Sequence, residues 1–264
     1  MQPEAFEFRS GDSPLLLSIP HGGEALTAEI SEKLTETGRL LPDTDWHLGR
    51  LYDCVKDLKP SLIRANYSRY VVDLNRPLDD KPLYTGNTTG LFTQTLFNGE
   101  PLYHTSVSET ARQEAIEQIW RPYYQQIADE LARIKAKYGY ALLFDAHSIR
   151  SCVPYLFDGQ LPSLNLGTNQ GQSCAPELAQ VASQICDDSP FGWVLNGRFK
   201  GGFITRHFGQ PDQNIHAIQL EMAQSLYMNE EAPFEYYPEM AAQLQPTLTA
   251  LLTAYLKQAE QLTF

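Results

Sequence analysis

Apolar and polar positions follow two rhythms along this chain. Short apolar runs without a helical period read as strands at 15–20, 61–66, 70–74, 140–144 and 217–221. Between them, apolar residues recur at three- and four-residue steps. Ile116, Ile119, Trp120, Tyr123, Ile127, Leu131 and Ile134 mark one face of a helix from Ser108 to about Lys137, with a kink expected at Pro122 and an end at Gly139. Further helices are predicted near 26–37, over 46–58 with Asp43, Thr44 or Asp45 available as N-cap, over 176–186, and over 238–261 with a kink at Pro246. Residues 77–104 show no period and carry the turn pairs Asp79-Asp80, Gly86-Asn87 and Asn98-Gly99. A connection of that length is often a functional loop. Helix leads directly into strand at 139–140, so the chain reads as α/β. With no repeat, low-complexity tract or Pro/Gly/Ser-rich linker, one domain over 1–264 is the simplest organisation.

Composition narrows the function classes. The 264 residues, 42% of them hydrophobic, suffice for a packed core. No stretch of 18 apolar residues suggests a membrane span. Met1-Gln2-Pro3-Glu4 lacks a basic region and an apolar run, so no secretory signal is read. Cys54, Cys152, Cys174 and Cys186 show no CxxC spacing and are expected as reduced thiols in the cytoplasm. A net charge of −12 argues against nucleic acid and anionic membranes as partners. It leaves room for a small acidic substrate, because exposed charges are screened beyond ~8 Å and local arginines can dominate a pocket.

The chemistry-bearing residues sit where strands end. His21 follows 15–20 and precedes Gly22-Gly23, Asn75-Arg76 follows 70–74, His147 closes Phe144-Asp-Ala-His, and Glu221 lies in the apolar run 217–221. Ligands of open α/β sheets bind outside the carboxyl ends of strands. One such histidine alone would read as a satisfied core residue. Two at equivalent ends point to a metal, for which neutral imidazole is the commonest ligand. A catalytic zinc takes three protein ligands, and the third is open between Glu24, in an HxxE spacing, and Asp45. Asp145 is placed on the strand face opposite His147, as a weaker ligand candidate that could orient an imidazole. Glu221 is costly within an apolar strand unless it is useful, which suits a general base. Arg69, Arg76, Arg198 and Arg206 border this edge and could grip an anion. The stretch 196–206 reads as a mobile basic loop. A nucleotide P-loop and a GxSxG nucleophile elbow are both missing.

These motifs together resemble one family. Ser18-Ile-Pro-His-Gly-Gly23, Asp43-Thr-Asp-Trp-His47, Ser68-Arg-Tyr-Val-Val-Asp-Leu-Asn-Arg-Pro77, Phe144-Asp-Ala-His-Ser-Ile-Arg-Ser151, Asn196-Gly-Arg-Phe-Lys-Gly-Gly202 and His216-Ala-Ile-Gln-Leu-Glu-Met222 resemble N-formylglutamate amidohydrolase (deformylase) of histidine degradation, in order and over essentially the full length. That family is similar in fold to zinc carboxypeptidases and aspartoacylase. The resemblance implies a single domain with a central, mixed, mostly parallel sheet flanked by helices.

It also implies one divalent metal ion, zinc, at His21 and His147, with Glu221 as base and Asn75-Arg76 at a substrate carboxylate. The carboxypeptidase pattern points to Glu24 as third ligand, and the deformylase pattern to Asp45, which is preferred. On this reading the protein hydrolyses N-formyl-L-glutamate to L-glutamate and formate. Arg69 would stabilise the oxyanion, and Arg76 with Arg198 or Arg206 would hold two carboxylates. The competing readings are a zinc amidohydrolase for another N-acyl amino acid and a catalytically silent metal- or amino-acid-binding protein.

Overall fold

Among the described residues seven strands build one sheet: β1 (Phe6–Arg9), β2 (Leu15–Ile19), β3 (Ser61–Ala65), β4 (Ala141–Ile149), β5 (Leu164–Gly167), β6 (Trp193–Leu195) and β7 (Ile215–Ala223), in the order β1-β3-β2-β4-β7-β5-β6. The computed structural model describes residues 3–83 and 88–262. Met1, Gln2 and the expected Gly86-Asn87 turn lie outside them. The β3–β2, β2–β4, β4–β7 and β5–β6 pairs are parallel, and β1–β3 and β5–β7 are antiparallel. The sheet is therefore mixed and mostly parallel, as expected.

Among the described residues eight α-helices surround it: α1 (Ala28–Lys33), α2 (Glu36–Arg39), α3 (Leu48–Leu51), α4 (Glu109–Ala115), α5 (Arg121–Tyr138), α6 (Pro176–Asp187), α7 (Phe203–Phe208) and α8 (Pro238–Gln261). Successive strand side chains face opposite ways. Leu15, Leu17, Leu142, Phe144, Ile218 and Leu220 thus join one apolar cluster with α6 and α8. Leu16, Ala141, Leu143 and Ala217 join a second, with α5 on the other face. No described helix is long and apolar enough to cross a membrane. All four cysteines are free thiols.

Several expectations need correction. Residues 70–74 are not a strand but a succession of turns, buried throughout. The Val71 N–H donates to the Ser68 carbonyl and that of Asp73 to the Leu91 carbonyl, so these bonds go to turn and loop partners rather than to a ladder. Tyr70, Val71, Val72 and Leu74 pack into the α5-side cluster, and a short apolar run cannot distinguish that from a strand. The helix expected over 46–58 is α3 followed by a 3-10 segment, Tyr52–Leu58. Its N-cap is His47, which makes no side-chain cap bond. Asp43 and Asp45 are turned to other partners, described below. The helix expected over 26–37 breaks at Thr35, whose side chain accepts from the Gly38 N–H and starts α2. Proline 122, at the start of α5, is preceded by a π-helical turn, Ile116–Trp120, that separates α4 from α5. The short strands β1, β5 and β6 and helix α7 went unread because few residues carry their periodicity.

The turn after β2 is set by close approach. A Cβ on Gly23 would stand 2.3 Å from the Tyr67 carbonyl oxygen and 2.6 Å from the Asn66 carbonyl carbon. Backbone cannot yield as a flexible side chain does. Gly23→Ala should therefore cost about 1–3 kcal/mol of stability, the usual range for overpacking. Denaturant unfolding checks this, and an unmoved midpoint would show that the contact tolerates a methyl group.

Candidate metal centre

β4 continues to Ile149, whereas its pairing with β2 ends at Asp145 opposite Ser18. Beyond that point its flank is taken by the Asp45 side chain, whose Oδ2 accepts the Ser148 N–H at 3.1 Å. The Asp45 N–H in turn donates to the His21 carbonyl at 3.0 Å. The same Oδ2 lies 3.2 Å from His147 Nδ1 and 3.9 Å from His21 Nδ1. Ligand atoms of His21, Asp45 and His147 all fall within 4.8 Å of one another, and all three residues are buried. Glu24 is exposed and outside this group.

On the other flank, β7 is in register with β4, so His147 pairs with Glu221 and Asp145 with Gln219. All four side chains share one sheet face. Asp145 therefore does not point away from His147, as expected above: two residues are a full strand period. Its Oδ2 lies 3.1 Å from His147 Nε2.

Hydrogen bonds define which nitrogen of His21 is protonated. Its Nε2 lies 2.8 Å from Asp73 Oδ1, and its Nδ1 lies 3.3 Å from Arg69 Nη1. A carboxylate can only accept and a guanidinium only donate. The proton is thus on Nε2, and Nδ1 accepts from Arg69 with Asp45 Oδ2 3.9 Å away. Burial, and then the Arg69 charge, keep the His21 pKa below its ordinary value despite Asp73. In His147, burial opposes the charge, but Asp145, Asp45 and Glu221 overcome it and raise the pKa well above the ordinary value. Glu221 is raised mainly by burial and further by Asp45, against the pull of His147. Asp73 stays well below the carboxylate range: burial works the other way, but Arg69 and His21 outweigh it. Two imidazoles and a carboxylate, each ring backed by a second carboxylate, fit a divalent metal ion.

The cavity over this cluster is lined by His21, Arg69, Asn75, Arg76, His147, Arg198, Gln219 and Glu221, with Phe97, Ile149, Leu156, Phe199 and neighbouring residues. Arg69 is buried and bonds Asp73 Oδ2 at 2.6 Å. Arg76 reaches across to Thr89, donating to its carbonyl at 2.7 Å and its hydroxyl at 3.0 Å. Arg198 donates to the Leu156 carbonyl at 3.2 Å. Arg206 is not among the described lining residues; it sits on α7 and donates to the Gly201 carbonyl at 2.7 Å. The Asn75 side chain lies 3.1 Å from His147 Nε2 and accepts the Ile204 N–H at 2.9 Å, which ties α7 to the cluster. The basic stretch 196–206 is only partly loop, since α7 begins at Phe203, and the Gly202 N–H is fixed by Gln219 Oε1 at 2.6 Å.

Sequence reasoning passed over Asp73, Gln219 and Phe97. Asp73 carried a usable signal: a charge in Tyr-Val-Val-Asp-Leu is as costly as Glu221 in its own apolar strand. Gln219 and Phe97 carried none.

Comparison with known proteins gives the family. The profile describing N-formylglutamate amidohydrolase matches residues 13–228. The chain belongs to the N-formylglutamate amidohydrolase family. It thereby joins a family of hydrolytic enzymes. The N-formylglutamate deformylases of Pseudomonas aeruginosa and Pseudomonas putida are 53% and 52% identical to it over 256 residues, covering 96% of each chain. The crystal structure of N-formylglutamate amidohydrolase from Ralstonia eutropha JMP134 shares the fold, with a TM-score of 0.83 at 23% identity, covering 97% of this chain and 99% of that one. A gene product of Agrobacterium tumefaciens shares it at a TM-score of 0.75 and 14% identity, covering 98% and 97%.

A metal titration separates the third-ligand candidates within this family site. Asp45→Ala should weaken binding strongly and Glu24→Ala should leave it unchanged; the reverse ranking would restore the HxxE assignment. A double variant, His21→Ala with His147→Ala, should bind no metal at this site.

Proposed function

We propose that this chain hydrolyses N-formyl-L-glutamate to L-glutamate and formate with one zinc ion, as a step of a histidine degradation route. The observation that carries the reading is Glu221 in register beside His147, against a buried His21-Asp45-His147 set, on the floor of an arginine-lined cavity. The substrate is inferred from what relatives at 53% and 52% identity are named for. Zinc is preferred because two imidazoles and a carboxylate make the three-ligand N/O set of a catalytic zinc that keeps a further position open.

His21, Asp45 and His147 would hold the ion. When bound, it supplies a Lewis acid for the formyl oxygen and lowers the pKa of water. Glu221 accepts a proton from the attacking water as the new C–O bond forms at the formyl carbon. It then delivers that proton to the departing amine as the C–N bond breaks, leaving formate and L-glutamate. Arg69, fixed by Asp73, donates to the oxyanion that develops on the formyl oxygen. Arg76 and Arg198 receive the two substrate carboxylates, each offering N–H groups in a planar fork. Arg206 contributes by holding Gly201 beside the Asn75 contact. Asn75 supports His147 and presents Arg76.

Turnover of N-formyl-L-glutamate should be abolished by chelation and restored by zinc; turnover that survives full metal removal would refute the metal role. Glu221→Gln should lower kcat by about 10²–10⁴-fold while metal content holds, the usual worth of general acid–base catalysis. Arg76→Ala should raise KM more than it lowers kcat, as expected for binding common to ground and transition states. Its loss should be smaller with a neutral N-formyl amino acid, and an equal loss for charged and neutral substrates would remove Arg76 from the carboxylate.

A further inference from the structure

We infer that Phe97 and Ile149 form the wall that restricts the acyl group to formyl, an inference that rests on the deformylase reading above. The cavity's apolar residues divide by neighbourhood. Leu156 and Phe199 accompany Arg198, which donates to the Leu156 carbonyl and stands 5.7 Å from the Phe199 ring centre. Thr88 and Thr89 accompany Arg76. Phe97 instead lies under the Arg69 guanidinium, 4.7 Å from it, and Arg69 touches His21. Ile149 is two residues past His147 on β4, so it shares that side chain's face. The metal end of the cavity is otherwise lined by polar groups: His21, Arg69, His147, Ser148 and Glu221. The acyl carbon must sit at that end to meet Glu221.

Both residues are braced. They pack with Val153 and Leu161 in a small apolar cluster, against which Leu156, Phe157 and Phe199 lean from the Arg198 side. The Phe97 N–H is held by Asp43 Oδ2 at 3.0 Å, and the same oxygen accepts the Tyr70 hydroxyl at 2.9 Å. A formyl hydrogen needs no polar partner, so an apolar wall costs it nothing. A methyl in its place must displace packed side chains, and discrimination by one carbon is typically about 10–200-fold.

The test is kcat/KM for N-formyl-L-glutamate against N-acetyl-L-glutamate in the wild type, Ile149→Val, Ile149→Ala and Phe97→Ala, with metal content measured in each. The formyl-to-acetyl ratio should fall by about 10–200-fold in Ile149→Ala and Phe97→Ala, and less, in the same direction, in Ile149→Val, which covers the case of a larger cavity failing to fold. A ratio unmoved in the metal-containing Ile149 and Phe97 variants overturns the wall, as does a wild type that cleaves both substrates equally. A wild type that cleaves neither overturns the deformylase reading and the wall with it.

Discussion

Past Asp145, β4 runs on with β7 beside it and β2 gone. The candidate centre depends on that mismatch in strand length. The exposed flank presents an unpaired Ser148 N–H, and a carboxylate from a separate loop, Asp45, accepts it. The bond that completes the sheet edge is also the bond that aims Asp45 at two imidazoles. The paired flank sets the other half of the geometry, since register alone puts Glu221 next to His147. Had β2 continued alongside β4, its backbone would fill the place of Asp45. The chain turns at Pro20–His21 before that can happen, and Gly23 then packs directly on the Tyr67 backbone.

Asp73 joins the parts that the sheet does not. One oxygen takes the His21 Nε2–H and the Asn75 backbone N–H, and the other takes Arg69. A buried carboxylate of this kind is tolerable because a guanidinium and an imidazole N–H share it. The wider cluster is nonetheless rich in acids: Asp45, Asp145 and Glu221 crowd the same few side chains. Arg69 is the buried cation among them. A divalent cation between Asp45 and the two imidazoles would offset that excess, which is a chemical reason for the donor set beyond its composition.

The sequence made the parallel core legible because its strands are short, apolar and bounded by turn residues. It misled at 70–74, where burial on every side imitates a strand while the hydrogen bonds go to turns. The His21 and His147 pairing was readable from two strand ends. Asp45 was ambiguous, because a carboxylate before a helix looks like a cap, and only the missing β2 neighbour explains its direction. Asp145 was misplaced by a parity error that strand geometry forbids. Phe97 and Gln219 were invisible, since an aromatic in an irregular loop and an amide in an apolar strand acquire meaning only from what packs against them. Arg206 looked equivalent to Arg198 in sequence, but it sits on α7, where its guanidinium donates to the Gly201 carbonyl.

The distances along the chain between the site's parts bear on how the protein is made. Asp45 and His147 are 102 residues apart, and the Gln224 side chain reaches back 180 residues to the Thr44 carbonyl. Such contacts form only after large loops have closed. During synthesis β1, β2 and β3 emerge first, and β4 can dock on β2 as soon as α5 is made. β4 then presents an open edge until β7, some seventy residues later in order, has left the ribosome and paired. That interval is when the nascent chain most needs protection from strand-to-strand association. The residues that end it, β7 and the Gln224 turn behind it, are the same ones that bring Glu221 to His147, so a chain released early would lack both its sealed edge and its proposed base.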